Sequence, residues 1–231
     1  RARESGLEHM VLVGLWREGE GAASAKRALD LAAMDRALFT PTICVHPHDV
    51  AAVGGADAEA IDLMCADPHV AAVGETGLDY HRNFSSPSEQ RLAFERQLDL
   101  AVATRKPLFL HQRDAHADFI AMLTERAAVL PRAVLHCFTG NANELDESLE
   151  AGLWIGITGW ICDERRGHHL RDLVARVPAG RLMIETDGPY LLPRDLKPKP
   201  ESRRNEPMFL LHIAEVIAAA RGETLEELAA H

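Results

Sequence analysis

The sequence predicts a single α/β domain, with a (β/α)8 TIM-like barrel favoured over an open doubly wound sheet. Short apolar segments alternate with longer amphipathic segments, a pattern typical of parallel strands connected by helices. The chain contains neither a GxGxxG nor a Walker A sequence, which would mark the nucleotide-binding loop of a doubly wound sheet. The chain has 231 residues, and a typical domain has about 150, so one domain over residues 1–231 is the simplest interpretation.

Seven segments are predicted as strands because they are short and continuously apolar, as expected when helices cover both faces of a sheet. They are 9–14, 41–45, 70–74, 107–110, 133–135, 154–157 and 182–184. Helical periodicity occupies 22–37, 57–66, 88–105, 114–128, 142–151, 167–176 and 206–220. One helix start is explicit, since Ser86 is followed by proline and, three positions later, by glutamate.

An eighth strand is not visible, and we expect both ends of the barrel to be truncated. The first residue is Arg1 rather than Met, and Thr224 begins a capping box whose helix reaches the last residue. On this interpretation the first strand and the C-terminal end of the barrel lie outside the sequence.

Composition excludes several classes of protein. Lysine and arginine total 25 against 35 acidic residues, a net charge of −10, which disfavours a general nucleic-acid coat protein. A hydrophobic fraction of 47% is too high for a disordered chain. The four cysteines form no CxxC motif, which favours a reducing compartment and a cytoplasmic location. No apolar run reaches the roughly 18 residues of a membrane-spanning helix, so we expect no membrane partner.

Polar residues of the kinds that bind metals follow four predicted strands. They are Glu75, His111, His136 and Asp187, and two further imidazoles, His46 and His48, follow an earlier strand. The carboxyl ends of barrel strands meet at one rim, so these groups are expected to surround one point. Each residue taken alone is more often a turn or capping residue, and only the repeated pattern favours a divalent metal site.

Several motifs closely resemble the TatD family of metal-dependent deoxyribonucleases. They are His46-Pro-His48, Gly74-Glu-Thr-Gly-Leu-Asp79, Leu110-His-Gln-Arg-Asp114, His136-Cys-Phe-Thr-Gly140 and Glu185-Thr-Asp-Gly-Pro-Tyr-Leu191. Two further stretches, 156–167 and 193–207, resemble a narrower branch that acts on single strands. The resemblance runs from about His46 to Pro207, in the family's order and with similar spacing.

The resemblance implies a barrel of the metallo-dependent hydrolase superfamily that removes nucleotides in the 3′ to 5′ direction from single-stranded DNA, with RNA as a further substrate. It assigns the metal ligands to Glu75, His111, His136 and Asp187, and Mg²⁺ as the cofactor. His46 and His48 are expected near the substrate phosphate rather than on the metal. We also expect a monomer with a role in DNA repair.

The number and identity of the metal ions stay open. Many relatives begin with an Asp-x-His-x-His strand that binds a second ion, and this chain starts downstream of that position. Imidazole ligands suit Zn²⁺, with Mn²⁺ intermediate, better than they suit Mg²⁺. In the expected mechanism the ion, held in part by the catalytic Glu75, activates a water whose proton Asp187 accepts as general base.

Substrate contacts are predicted from a basic segment and from aromatic residues. The segment 194–204 holds five basic and two acidic residues, and its Arg203 and Arg204 are expected to bind backbone phosphates. Arg113 is a further candidate for substrate binding, and Tyr80 and Phe138 are candidates for stacking on bases. The competing interpretations are a solvated charged loop and ordinary packing of the aromatic rings.

Two other functions remain open on the sequence alone. The same scaffold supports hydrolysis of an amide, an ester or a small phosphodiester, which only a comparison of substrates discriminates. A non-catalytic binding module is the least favoured, because such a protein would be expected to lose ligand-type residues at its strand ends and this chain keeps all four.

Overall fold

The computed structural model describes residues 2–230, which divide into two compact units. The first unit runs from Glu8 to Val134, and the second combines the N-terminal segment up to Leu7 with the chain from Leu135 onward. None of the described helices is both long enough and apolar enough to cross a membrane. All four cysteines are free thiols.

The first unit alternates strands and helices. Its elements are β1 (Met10–Trp16), α1 (Ala23–Met34), β2 (Phe39–Val45), a 3-10 turn (Val50–Ala52), α2 (Gly55–Ala66), β3 (Ala72–Asp79), α3 (Pro87–Thr104), β4 (Leu108–Arg113) and α4 (His116–Thr124). β1 pairs with β2, β2 with β3 and β3 with β4, all in parallel. Between the strands and α3 and α4 lies a core in which Phe94 and Phe119 stack with ring centroids 5.7 Å apart.

The second unit follows the same alternation with shorter elements. β5 (Ala133–Leu135) spans the boundary along the chain, and a 3-10 turn (Arg3–Ser5) lies in the N-terminal segment. The remaining elements are α5 (Ala142–Glu150), β6 (Trp154–Ile157), a 3-10 turn (Gly159–Cys162), α6 (His168–Val174), β7 (Leu182–Ile184), a 3-10 turn (Pro207–Phe209), α7 (Leu210–Arg221) and α8 (Leu225–Ala229). β6 and β7 are parallel neighbours.

All seven predicted strands and all seven predicted helical segments are present in the structure. Both predicted capping boxes form, because Ser86 accepts from the Glu89 backbone N–H and Thr224 accepts from that of Glu227. The largest difference is in β3, which continues five residues beyond its predicted end. Glu75 therefore lies inside a strand rather than after one, and His111 likewise lies inside β4.

Two glycines allow β3 to approach β4 closely. Gly77 has φ +144°, and a Cβ there would lie 1.9 Å from the carbonyl oxygen of His111, while one at Gly74 would lie 2.2 Å from that of Phe109. The register of the two strands shifts between Gly74 and Thr76, which makes Glu75 the extra residue of a β-bulge. The bulge and the close approach bring the Glu75 carboxylate to the imidazole of His111.

Candidate active site

A first set of polar side chains, called the His111 group, lies just after β2 and in the carboxyl-terminal parts of β3 and β4. It consists of His46, His48, Glu75, Asp79 and His111. The His111 ring stands between two carboxylates, since its Nδ1 lies 2.9 Å from Glu75 Oε1 and its Nε2 lies 3.3 Å from Asp79 Oδ2. His46 Nε2 lies 3.5 Å from the same oxygen of Glu75. The group thus concentrates two carboxylates and three imidazoles in the first unit.

Asp79 orients two of these rings from beneath. Its side chain is 1% exposed, and its Oδ2 lies 2.7 Å from His48 Nε2 as well as close to His111. Its Oδ1 accepts from the backbone N–H groups of His81 and Arg82. Burial alone would raise the pKa of Asp79, but the hydrogen bonds from His111, His48 and Arg82 outweigh it and hold that pKa well below its usual value. Asp79 is therefore an ionised acceptor that fixes both rings.

His46 is a neutral hydrogen-bond donor in this group. Burial lowers its pKa, an effect that the neighbouring Glu75 only partly offsets. Its Nδ1 accepts from the backbone N–H of His48 at 3.2 Å, so the proton of the neutral ring is on Nε2. Although His46, Glu75 and His111 have ligand-type atoms within 4.8 Å of one another, this tautomer gives His46 an N–H to donate rather than a lone pair.

A second set, the His136 group, lies after β5 and β7 in the second unit. It consists of His136, Cys137, Glu185 and Asp187. His136 also stands between two carboxylates, with its Nδ1 2.5 Å from Glu185 Oε2 and its Nε2 3.7 Å from Asp187 Oδ1. The short contact with Glu185 favours a proton on Nδ1, which leaves the Nε2 lone pair on the side of Asp187.

Glu185 is placed by its neighbours in the second unit. Its Oε2 accepts from the Cys137 backbone N–H at 3.1 Å. A Cβ at position 156 would lie 2.1 Å from Glu185 Oε1, so glycine in β6 makes the space for this carboxylate. Among the described residues, Oε1 is buried and accepts no hydrogen bond. A buried carboxylate oxygen without a partner is costly, which indicates that the site is completed by another group.

The donors present fit a divalent cation. His136, Cys137 and Asp187 have ligand-type atoms within 4.8 Å of one another, and Glu75 and His111 are equally close in the other group. In each case a carboxylate supplies charge and an imidazole supplies a directional lone pair, with a second carboxylate orienting the ring. Together with the unpartnered oxygen of Glu185, this arrangement supports a divalent metal ion.

The four predicted ligands occur as two pairs. Glu75 and His111 adjoin each other in the first unit, and His136 and Asp187 adjoin each other in the second. Convergence of all four residues on one point stays a prediction.

The remaining predicted contacts lie in different environments. The Tyr80 hydroxyl donates to Asp118 at 2.6 Å, and Arg113 is half-buried at the end of β4. Phe138 is 4% exposed, and stacking of a base on its ring stays a prediction. Arg203 and Arg204 are both exposed.

Much of the basic segment lines a cavity of about 1120 Å³ in the second unit. Among the residues that line it are Trp160, Arg165, Arg166, Arg194, Lys197, Lys199 and Arg203. The Arg166 guanidinium lies over the Trp160 ring at 5.1 Å, and Arg194 pairs with the buried Asp163 at 3.1 Å. These contacts hold part of the positive charge in place along the cavity wall.

Sequence reasoning missed the two orienting carboxylates, Asp79 and Glu185. Both stand in the family motifs, four residues after Glu75 and two before Asp187. For Asp79, a spacing of four residues in an extended strand returns the side chain to the face of Glu75, and this signal could have identified it. Glu185 has no such signal, because it and Asp187 follow the end of β7.

Comparisons with known proteins agree with this geometry. The family model described as TatD related DNase matches residues 1–231. A 3′-5′ ssDNA/RNA exonuclease TatD of Dickeya dadantii is 52% identical over 228 residues, which cover 99% of this chain and 84% of that protein.

Solved structures give the same result. A hydrolase of the TatD family from Entamoeba histolytica superposes with a TM-score of 0.86 at 25% identity, covering 99% of this chain and 84% of that one. A TatD homologue from Escherichia coli K12 gives 0.84 at 26% identity, covering 99% and 85%. The predicted fold class is thereby confirmed, and the chain belongs to the TatD-related DNase family.

Proposed function

We propose that this protein is a metal-dependent 3′–5′ exonuclease that hydrolyses phosphodiester bonds in single-stranded DNA and in RNA. The observation that carries the proposal is the imidazole held between two carboxylates, which occurs once in each unit. Relatives about half identical over nearly the whole chain are named as exonucleases of this specificity. Family, fold and donor chemistry therefore support the same reaction.

Each group contributes one carboxylate and one imidazole as ligands, which are Glu75 and His111 in one and Asp187 and His136 in the other. A bound divalent cation supplies a Lewis acid for a phosphate oxygen and lowers the pKa of a coordinated water. Donor sets that contain imidazole favour Mn²⁺ or Zn²⁺, whereas Mg²⁺ prefers oxygen ligands and retains waters. We propose Mn²⁺ as the most active ion and Mg²⁺ as the ion of lower affinity.

Asp187 is the proposed general base. Its side chain is 30% exposed, compared with 11% for Glu185, so water reaches it. His136 Nε2 lies 3.7 Å from Asp187 Oδ1, which places the imidazole directly beside the proposed base. His46 and His48 remain the proposed contacts of the substrate phosphate.

The basic segment around Arg203 and Arg204 is the proposed contact for backbone phosphates. Its local charge of +3, in a chain of net charge −10, confines attraction for a polyanion to one part of the second unit. Tyr80 is retained as a candidate stacking residue, and Arg113 as a candidate phosphate contact.

We also propose a monomer that acts in the cytoplasm, with DNA repair as its role. Four free thiols support a reducing compartment. Light scattering coupled to gel filtration tests the oligomeric state, and cell fractionation tests the location.

The decisive experiment is an exonuclease assay with metal-stripped protein. Mg²⁺, Mn²⁺ and Zn²⁺ are added back separately to single-stranded DNA, RNA and duplex DNA labelled at the 5′ end. We expect a ladder that shortens from the 3′ end, that requires the metal and that is weakest on duplex. A hydantoin and a p-nitrophenyl ester serve as control substrates. Turnover of a control without nucleotide release would replace the nuclease assignment with another hydrolase on the same scaffold.

A further inference from the structure

A third cluster of metal-binding side chains lies in the second unit and shares no residue with the His136 group. Cys162 ends the 3-10 turn Gly159–Cys162, Asp195 lies in the basic segment, and His212 lies in the first turn of α7. Their ligand-type atoms all lie within 4.8 Å of one another. His212 Nε2 is 2.7 Å from Asp195 Oδ1, and the side chains of both are about one-quarter exposed. Cys162 is completely buried.

Without a metal the Cys162 thiol is protonated and donates a hydrogen bond to the Asp195 carboxylate. Burial, followed by the negative charge of Asp195 and the hydrogen bond to it, raises the pKa of Cys162 to about 12. A thiol held in this state is a poor nucleophile, which argues against cysteine catalysis at this place. The thiol, the carboxylate and the imidazole nevertheless bring together three ligand types that zinc uses.

We propose that Cys162, Asp195 and His212 bind a Zn²⁺ ion, with water as the fourth ligand. A thiolate and a carboxylate supply two negative charges that balance the ion, and the imidazole stays neutral. Binding forms the zinc–sulfur bond and releases the Cys162 proton to solvent. Cys162 and Asp195 both line the cavity of about 1120 Å³, which gives the ion a path of entry and leaves room for the water.

A neighbouring carboxylate supports this use of His212. Glu215, one turn further along α7, lies 3.9 Å from His212 Nδ1, on the side of the ring opposite the proposed metal-binding nitrogen. In the metal-free protein His212 Nε2 is hydrogen-bonded to Asp195. Binding of the ion to Nε2 moves the ring proton to Nδ1, where the negative charge of Glu215 at 3.9 Å favours it. The ion would then link the 3-10 turn, the basic segment and α7.

Cobalt substitution tests the site, because a thiolate ligand to Co²⁺ gives an intense charge-transfer band in the near ultraviolet. Metal-stripped wild type is titrated with Co²⁺ and then with Zn²⁺, beside Cys162→Ser, His212→Gln and Cys137→Ser. We expect a band that saturates at one thiolate-bound ion and that Zn²⁺ displaces. The band should be absent in Cys162→Ser and should persist in Cys137→Ser. In His212→Gln the affinity for Co²⁺ should fall at least about tenfold.

Bound zinc per protein, measured by elemental analysis after dialysis, provides a second readout should Cys162→Ser fail to fold. His212→Gln and Asp195→Asn alter partly exposed residues, and each should lose one equivalent of zinc. An unchanged zinc content in both variants overturns the proposal. Absence of the band in the wild type also overturns it. So does loss of the band in Cys137→Ser, which would assign the thiolate to the His136 group. None of these outcomes depends on nuclease activity.

Discussion

The His111 group and the His136 group each place an imidazole between two carboxylates, but their side chains differ in exposure to solvent. In each, one carboxylate is a proposed ligand and the other orients the ring: Glu75 with Asp79 in the first, Asp187 with Glu185 in the second. The proposed ligand Asp187 is 30% exposed, whereas Glu75 is 13% exposed. The comparison indicates that the first group is built to hold its residues rigidly, and that the second admits water to the carboxylate that accepts a proton.

Backbone structure produces this difference. Glu75 and His111 lie within paired strands, where a bulge and two glycines set their separation. Cys137 and Asp187 follow short strands and have φ values of +49° and +54°. Non-glycine residues in this left-handed region are uncommon and cluster at functional sites.

The largest expected effect is on activity when either central imidazole is removed. His111→Ala and His136→Ala should each reduce kcat/KM for single-stranded DNA at least about 100-fold, because loss of an orienting partner alone costs 10- to 100-fold. Loss of stability should be much the smaller effect, since neither ring fills an apolar core, although each removal takes a partner from a buried carboxylate. Activity and thermal unfolding are measured on the same samples, with the half-exposed His69→Ala as control. A large loss of stability with activity retained in the folded fraction would make these histidines structural.

The next effect separates chemistry from binding. Asp187→Asn should slow hydrolysis about 100-fold, because it removes the proposed base. DNA should bind as tightly as before, or more tightly, because a negative charge near the phosphate is removed. Single-turnover cleavage and equilibrium binding are compared for the two proteins. Near-normal cleavage would place the base elsewhere and cancel the contrast between the two groups.

A smaller effect tests whether Glu185 must keep its position. Gly156→Ala puts a methyl group 2.1 Å from Glu185 Oε1, so the carboxylate has to leave its present position beside His136. We expect about a tenfold fall in kcat with little change in KM. Gly55→Ala is the matched control, because no atom lies within 4 Å of the added methyl there. Equal kinetics for the two variants would show that Glu185 does not orient the ring.

The sequence predicted the strands and helices well because each is marked by local chemistry. Apolar runs marked the strands, and capping residues marked the starts of α3 and α8. It failed at the end of β3, where glycines and polar residues conceal a strand that continues to Asp79. There the extended backbone depends on pairing with β4, a tertiary effect that a single segment does not reveal.

The candidate ligands could be proposed from the sequence because strand ends are a general location for polar function. Their partners were not, because an orienting residue is defined by what it contacts. Asp79 and Glu185 differ from ordinary acidic residues only in facing an imidazole. The burial of Phe138 was likewise not visible in the sequence, because the exposure of an aromatic ring depends on the residues packed around it.

The stability of the protein in acid tests the His111 group alone. The pKa of Asp79 is lower in the folded protein than in the unfolded chain, so the unfolded chain binds more protons near pH 4. The contribution of Asp79 to the free energy of unfolding is therefore present above that pH and is lost as the pH falls. In metal-stripped protein, wild type should lose about 1 kcal/mol more than Asp79→Asn between pH 5 and roughly pH 3. Urea unfolding at several pH values measures the two slopes. Parallel slopes would show that the interactions of Asp79 contribute nothing to folding.

The smallest expected effect concerns the basic segment, which follows the His136 group in the chain. Replacing Arg203 and Arg204 with alanine should weaken single-stranded DNA binding a few-fold, equally for all sequences. The slope of log affinity against log salt should fall by about 0.7 for each phosphate that the variant no longer binds. Lys26→Ala/Arg27→Ala on α1 removes the same charge from an exposed surface of the first unit and serves as control. If both double variants gave the same salt slope, the attraction would come from net charge alone. A reduced slope only in the Arg203/Arg204 variant would place backbone phosphates of the DNA on these two arginines.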